Sequence, residues 1–93
     1  MQDDRFECDD AKAASNARKH RVTFDQAREA FDDRNAFEET DDDPDEDRWR
    51  LIGMSRSGLL YVIHTERGTR TRIISARRAN WNEQISYYRQ ARP

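Results

Sequence analysis

Several basic side chains of this chain could act on a phosphodiester. Arg67 and Arg72 carry guanidinium groups, which bind two phosphate oxygens at once and stabilise charge developing on them. His20 and His64 could transfer protons near neutral pH, and Lys19 adds a further cation. The sequence has no metal-ligand cluster, no glycine-rich phosphate loop and no serine–histidine–aspartate arrangement. This set permits metal-independent RNA cleavage, in which the ribose 2′-OH attacks the neighbouring phosphate and the protein neutralises the transition state.

A predicted β-hairpin must position the arginines. Two apolar runs, 59–63 and 73–76, flank Gly68-Thr69, and glycine suits the first central position of a two-residue type II′ turn. The register set by this turn pairs Arg67 with Arg70, Thr65 with Arg72, Ile63 with Ile74 and Tyr61 with Ala76. One face of the hairpin then has apolar side chains at its inner end and arginines at its outer end.

The residues before the hairpin predict a short strand and a first helix. Residues 6–8 can form the strand, and Asp9 or Asp10 can cap a helix over 11–20. Small residues on this helix could pack closely on a sheet: Ala13, Ala14 and Ala17. A polar stripe on another face, with His20 one turn further on, is typical of a solvated surface: Lys12, Asn16 and Lys19.

A second helix begins at a capping box, with Thr23 at the N-cap and Gln26 three residues later. Its predicted core side chains are Phe24, Ala27 and Phe31. Residues 36–40 are typical of an edge strand and Arg48–Ser55 of a strand that leads into the hairpin. The acidic run between them, 41–47, lacks the spacing of a calcium loop, so we expect a solvated connection.

A last helix is expected after the hairpin. Asn80 can cap it with Glu83 three residues later, and three large residues at helical spacing predict its buried stripe: Trp81, Ile85 and Tyr88. The element order β-α-α-β-β-β-α predicts an α+β fold in which helices pack on an antiparallel sheet of about four strands. Residues 1–93 are expected to form one domain without repeats.

The charges are divided unequally along the chain. Residues 1–47 hold 7 Lys+Arg and 17 Asp+Glu, hence −10, whereas residues 48–93 hold 10 and 2, hence +8. The basic half could bind nucleic acid, or the two halves could neutralise each other in the fold. No apolar stretch approaches a membrane span, the start lacks a secretory core, and the single Cys8 fits a reducing cytoplasm. We therefore expect a cytoplasmic protein.

Five blocks stand in order along 6–88. They are Asn-Ala-Arg-Lys-His-Arg-Val-Thr-Phe at 16–24, Ala27 with Phe-Asp-Asp at 31–33, Arg-Trp-Arg-Leu-Ile-Gly-Met at 48–54, His-Thr-Glu-Arg at 64–67 and Arg-Ile-Ile-Ser-Ala-Arg-Arg-Ala at 72–79. Together they resemble the BrnT family of toxins. The resemblance implies a RelE-like ribonuclease fold, without a cofactor, and a toxin that stops translation by cutting RNA. It also implies a BrnA-like antitoxin with a ribbon-helix-helix DNA-binding part. A heterotetramer of the two would reach operator DNA through the antitoxin and repress their operon.

The resemblance also suggests a site made of Lys19, His20, Arg67, Arg72 and Arg77. Arg67 and Arg72 would clamp the scissile phosphate, and Arg77 would bind the same phosphate or a flanking one. Lys19 and His20 are the candidate proton carriers or charge stabilisers, with base and acid left open. The alternative is a non-catalytic partner and co-repressor of the antitoxin; a plain RNA-binding domain is disfavoured because no aromatic platform alternates with the basic residues.

Two positions differ from the family pattern. Cys8 stands where family members usually have Trp, which predicts thinner packing beneath the first helix. His64 stands where they usually have Tyr. By the hairpin register His64 points away from Arg67 and Arg72, so we expect it to fill space on the opposite face rather than to join the site. Glu66 alternates to that same face, where a salt bridge is the preferred interpretation.

Overall fold

The structure is a computed structural model that describes residues 2–41 and 47–90. Its elements follow the order β-α-α-β-β-β-β-α: β1 (Phe6–Glu7), α1 (Asp10–His20), α2 (Phe24–Phe31), β2 (Phe37–Asp41), β3 (Arg48–Ser55), β4 (Gly58–Arg67), β5 (Arg70–Arg78) and α3 (Trp81–Gln90). Residues 42–46, the centre of the predicted acidic connection, lie outside the described part. No helix in the described ranges is long and apolar enough to cross a membrane.

The five strands form one sheet in the order β1-β5-β4-β3-β2. Neighbouring strands from β5 to β2 are antiparallel, as expected for chain-consecutive strands, whereas β1 pairs with β5 in parallel. The expected all-antiparallel sheet of about four strands is therefore wrong in strand number and in this one pairing. The short β1 adds to the outer edge of β5 because Thr71 donates a backbone hydrogen bond to Arg5 (2.8 Å) and pairing continues from there.

Helices α1 and α2 cover one face of the sheet, which we call the covered face. The central strand β4 contributes Leu60 and Val62 to the core, and β5 contributes Ile73, all of them buried as predicted. From α2, Phe24 and Ala27 pack against them. The other side of the same strands, which we call the open face, carries a second, smaller cluster beneath α3, and the part that α3 leaves uncovered is available for function.

The hairpin register changes within the strands. Its outer part is as predicted, with Arg67 opposite Arg70 and Thr65 opposite Arg72. A β-bulge then leaves Ile74 without a partner, so that Ser75 faces Ile63 and Arg77, rather than Ala76, faces Tyr61. The predicted inner pairs are therefore wrong by one residue, because an extra residue in one strand shifts all later pairs. The bulge moves Ala76 into the core and turns Arg77 to the open face.

Local capping signals are confirmed. Asp9 accepts a hydrogen bond from the backbone of Lys12 and begins α1. The predicted capping box of α2 is complete. At α3, Asn80 and Glu83 exchange side-chain-to-backbone hydrogen bonds of 2.8 and 2.9 Å. Each cap satisfies N–H groups that a helix start leaves without partners.

The buried side of α3 differs from the prediction. Trp81 is 73% exposed and Tyr88 56%, whereas Tyr87 is 4% exposed and packs with Ile52 and Leu59 on the open face. The physical reason is that the Tyr87 hydroxyl donates to Asp33 (2.6 Å), which fixes the rotation of the helix about its axis. The predicted stripe of Trp81, Ile85 and Tyr88 therefore does not form the buried side of the helix.

Asn16 also departs from the predicted solvated stripe, because it is buried. Its side-chain amide donates to the carbonyl oxygens of Val22 (3.0 Å) and Ala76 (2.7 Å) and accepts from the N–H of Ala76 (3.1 Å). β1 pairs with only the first part of β5, and Asn16 forms hydrogen bonds with the strand edge that β1 leaves unpaired. Through this residue α1 is attached to the strand that carries Arg72 and Arg77.

Candidate functional site

The open face carries the three predicted arginines. Arg72 faces Thr65 and Arg77 faces Tyr61, on the side opposite the buried residues of the same strands. Arg67 faces Arg70 next to the turn at the outer end. Alternation along the strands places Arg67 and Arg72 on one surface, and the bulge at Ile74 brings Arg77 to the same surface.

Arg67, Arg70 and Arg72 form a group at the outer end, which we call the arginine cluster. Arg67 and Arg72 are diagonal neighbours across two paired strands, and such positions lie roughly 7–8 Å apart, within reach of long side chains. Arg70 donates from Nε to the carbonyl oxygen of Asp3 (2.6 Å), and Arg72 Nη1 lies 3.7 Å from Glu7 Oε2. Arg67 is exposed and has no ion-pair partner within the described ranges. Arg67 can therefore bind an anion without first losing an ion pair within the described part of the chain.

The side chain of Arg77 is held by stronger interactions than the side chains of the arginine cluster. Its two Nη atoms donate to the two carboxylate oxygens of Glu83, each at 2.9 Å, and its guanidinium lies 4.0 Å from the ring centre of Tyr61. The hydrogen bond with Glu83 raises the pKa of Arg77. Burial of Glu83 favours its protonated form, but hydrogen bonds from Arg77 and Asn80 outweigh this and lower the pKa of Glu83. The two groups are therefore charged and locked together at neutral pH.

Lys19 and His20 lie in the last turn of α1, where cations interact favourably with the helix dipole. They are exposed and line a pocket of about 200 Å³ at the edge of β5, which we call the edge pocket. The other lining residues are Lys12, Ser15, Asn16, Ile74 and Ser75. Neither Lys19 nor His20 makes a side-chain hydrogen bond or ion pair with any residue that the structure describes.

The edge pocket lies between two of the predicted arginines along the chain. Ile74 and Ser75 belong to β5 and lie between Arg72 and Arg77, which are at most roughly 16 Å apart at about 3.3 Å per residue. Within the described residues, no hydrogen bond or ion pair joins the edge pocket to an arginine of the open face. The geometry thus forms two neighbouring groups, with Arg67 furthest from the edge pocket.

His64 lies on the covered face, as predicted, and does not belong to the site. It is 2% exposed and packs edge-on against Phe31, with 4.9 Å between ring centres. Burial lowers the pKa of His64 to about 4, so the ring is neutral at pH 7. Its Nε2 lies 3.2 Å from Glu38 Oε1, yet in the described part of the chain neither ring nitrogen makes a hydrogen bond.

The sequence patterns did not indicate two participants of the open face. Arg50 faces Ile63 and donates to Glu39 from Nε (3.2 Å) and Nη2 (2.7 Å). Glu83 binds Arg77 in addition to its predicted role as a cap. Alternation along β3, where Leu51 is buried, could have revealed Arg50, but the contact of Glu83 depends on the bulge that turns Arg77 outward.

Cys8 lies beside a cleft of about 270 Å³ between α1 and α2. The cleft is lined mainly by small or apolar side chains, including Ala13, Ala17 and Phe24. This agrees with the thin packing expected where a cysteine occupies the position of a larger residue. Among residues 2–41 and 47–90, no group of three metal-binding side chains is close enough to hold an ion.

Comparison with protein families gives one match. The family described as "Ribonuclease toxin, BrnT, of type II toxin-antitoxin system" matches residues 8–83, which is most of the chain and includes all five predicted site residues. No curated protein matches the sequence.

Proposed function

The chain belongs to the BrnT family of ribonuclease toxins of type II toxin-antitoxin systems, and from this we propose that it is a metal-independent endoribonuclease that stops translation. The ribose 2′-OH attacks the adjacent phosphorus, and the bond to the 5′ oxygen of the next nucleotide breaks. The products are then a 2′,3′-cyclic phosphate and a free 5′-OH. Such a reaction needs alignment, proton transfer and neutralisation of phosphate charge.

The arginine cluster carries the proposal. Arg67 and Arg72 occupy diagonal positions on neighbouring strands, within reach of one phosphate, and Arg67 forms no ion pair with any residue that the structure describes. We assign the binding of the scissile phosphate to these two residues. Arg77 lies too far along β5 to share that phosphate with Arg67, which supports the flanking phosphate as its ligand.

Lys19 and His20 are assigned the proton transfers or the stabilisation of charge on the 2′ and 5′ oxygens. Support comes from the edge pocket, because both side chains are exposed there and free to move towards bound RNA. RNA that crosses the open face at Arg72 would bend around the edge of β5, where the edge pocket opens between β1 and Asn16, to reach them. Which of the two acts as base is left open.

The partners follow from the same family. A type II system pairs the toxin with an antitoxin, and a ribonuclease toxin has RNA as its target. We propose a BrnA-like antitoxin with a ribbon-helix-helix DNA-binding part, which forms a heterotetramer with the toxin in the cytoplasm and represses the shared operon. An acidic or amphipathic segment of that antitoxin would cover the arginine cluster and thereby block the reaction.

The test uses purified protein, labelled RNA and EDTA, with and without the antitoxin encoded beside it. We expect cleavage in EDTA that the antitoxin abolishes, and no cleavage of DNA of the same sequence, because DNA lacks the 2′-OH. An intact RNA in every condition, combined with toxin-dependent operator binding by the antitoxin, would instead establish the non-catalytic co-repressor.

A further inference from the structure

A second pocket, of about 230 Å³, lies on the open face between the sheet and α3. Its floor is apolar and partly aromatic, formed by Phe37, Ile52 and Tyr61. Its rim carries polar side chains from two strands and from α3: Glu39, Arg50, Asn82, Glu83 and Ser86. Because Tyr61 is also the ring beneath Arg77, this pocket directly adjoins one of the proposed phosphate ligands.

The charges on the rim are balanced. Arg50 Nη2 lies 2.7 Å from Glu39 Oε2, and Arg77 beside the pocket is bound by both oxygens of Glu83. An anionic ligand would meet two carboxylates, and a cationic ligand would meet two guanidinium groups. The pocket therefore favours a neutral ligand with polar edges.

The remaining rim groups favour a flat ligand that forms hydrogen bonds. Asn82 offers both a donor and an acceptor, and Ser86 lies one helical turn further along the same side of α3. Both are exposed, and the aromatic floor provides a surface for a planar ring. Single-stranded RNA is recognised by such combinations, in which bases stack on aromatic or arginine side chains and hydrogen-bond along their edges.

We propose that this pocket, which we call the base pocket, binds one unpaired base of the RNA substrate. The inference rests on the proposed function. Arg77, on its border, offers the phosphate next to that base the N–H groups that Glu83 does not bind, while Asn82 and Ser86 contact the base edge. The base pocket thereby selects which phosphodiester reaches the arginine cluster and the edge pocket.

The experiment measures binding of 2′-O-methyl pentanucleotides, in which the blocked 2′ oxygen prevents cleavage. A single abasic site is placed at each of the five positions in turn. For the wild-type protein we expect one position at which loss of the base weakens binding at least about 10-fold, the scale of one base stacked on an aromatic side chain. The N82A/S86A double variant should weaken binding of the complete pentanucleotide without further weakening at that abasic position.

Gln90→Ala is the matched control, since it removes an exposed amide from the same helix outside the base pocket. It should leave the dependence on the base intact. The proposal would be overturned if the double variant lost equal affinity for the complete and the abasic pentanucleotides, or if binding by the wild type did not depend on any base. Either result would also be expected if an antitoxin side chain, rather than a base, occupied the pocket. Wild-type cleavage of ordinary RNA in parallel shows whether the proposed function stands independently.

Discussion

At the scale of single residues, the proposed chemistry depends on what guanidinium groups can do that other cations cannot. Replacing Arg67 or Arg72 by alanine should lower the cleavage rate by roughly 100- to 1000-fold, the cost of removing one preorganised donor to the transition state. Folding should change little for Arg67→Ala, since exposed substitutions cost about 0.5 kcal/mol or less. Single-turnover cleavage with saturating protein measures the rate of the chemical step.

Three further variants test whether the loss is specific to the guanidinium groups of the cluster. Lysine at either position should restore activity only in part, because a point charge cannot make the two-pronged contact. Arg56→Ala is the matched control: this exposed arginine lies in the turn between β3 and β4, beside Glu29 of α2. Rates within a few-fold of wild type for both alanine variants would remove the phosphate clamp from the mechanism.

His64 makes the stability of the fold depend on pH. Burial lowers the pKa of His64 to about 4 from an ordinary 6.5. Between these two pH values His64 binds a proton in the unfolded chain but not in the folded chain. Stability should therefore fall between pH 6.5 and 4, by about 3 kcal/mol at about 1.4 kcal/mol per pH unit. Urea unfolding at a series of pH values measures this loss.

His64→Phe is the comparison that isolates the histidine, because phenylalanine fills a similar space against Phe31 without a titrating group. The neighbouring carboxylates titrate in both proteins: burial raises the pKa of Glu38, with a smaller contribution from the charge of Glu66. That raised pKa adds stability as pH falls, so only the difference between the two proteins reports on His64. Parallel stability curves for wild type and variant would contradict the prediction.

At the scale of elements, Asn16 determines how α1 attaches to the sheet. Asn16→Ala removes the partners of three backbone groups, the N–H and carbonyl of Ala76 and the carbonyl of Val22. Unpaired buried polar groups cost about 1–3 kcal/mol each, and partial access of water should reduce the total, so we expect a loss of about 2–4 kcal/mol in urea unfolding. Asn82→Ala, an exposed amide lost from α3, should change stability by no more than about 0.5 kcal/mol. A loss below about 1 kcal/mol for Asn16→Ala would show that α1 is held mainly by its alanines.

Local sequence rules predict much of this architecture. Caps at Asp9, Thr23 and Asn80 identify the helix starts, because capping depends on residues three positions apart. Strand alternation identifies Leu60 and Val62 as core. The bulge at Ile74 and the parallel pairing of β1 depend on contacts between distant segments, which no local pattern of the sequence contains.

The candidate site, like the fold, can be predicted from the sequence only in part. Alternation along the two strands of the hairpin is sufficient to predict that Arg67 and Arg72 share one face. Arg77 reaches that face only because the bulge shifts the register, so only the family resemblance indicates it from the sequence. The partnership of Arg77 with Glu83, and the exposure of Trp81, depend on how α3 rotates on the sheet, which is set by the distant Asp33.

At the scale of the whole molecule, the uneven charge distribution is resolved in two ways. Acidic residues of the first half pair with arginines of the second, as in Glu39 with Arg50 and Glu7 with Arg72. Arg67, on the open face, forms no ion pair with any residue described, so the charges of the two halves neutralise each other only in part. The covered face holds most of the core, and the open face keeps the basic surface to which we assign the RNA backbone.

The ends of the RNA fragments test the central claim most directly. Labelled RNA is incubated with the wild-type protein in EDTA, and the new ends are identified by mass spectrometry. A second RNA carries a single 2′-deoxy nucleotide on the 5′ side of the cleaved bond. We predict 2′,3′-cyclic phosphate or 3′-phosphate ends paired with 5′-OH ends, and no cleavage at the 2′-deoxy position. Fragments with 5′-phosphate ends, cleavage at the 2′-deoxy position, or activity that requires added Mg²⁺ would contradict the mechanism.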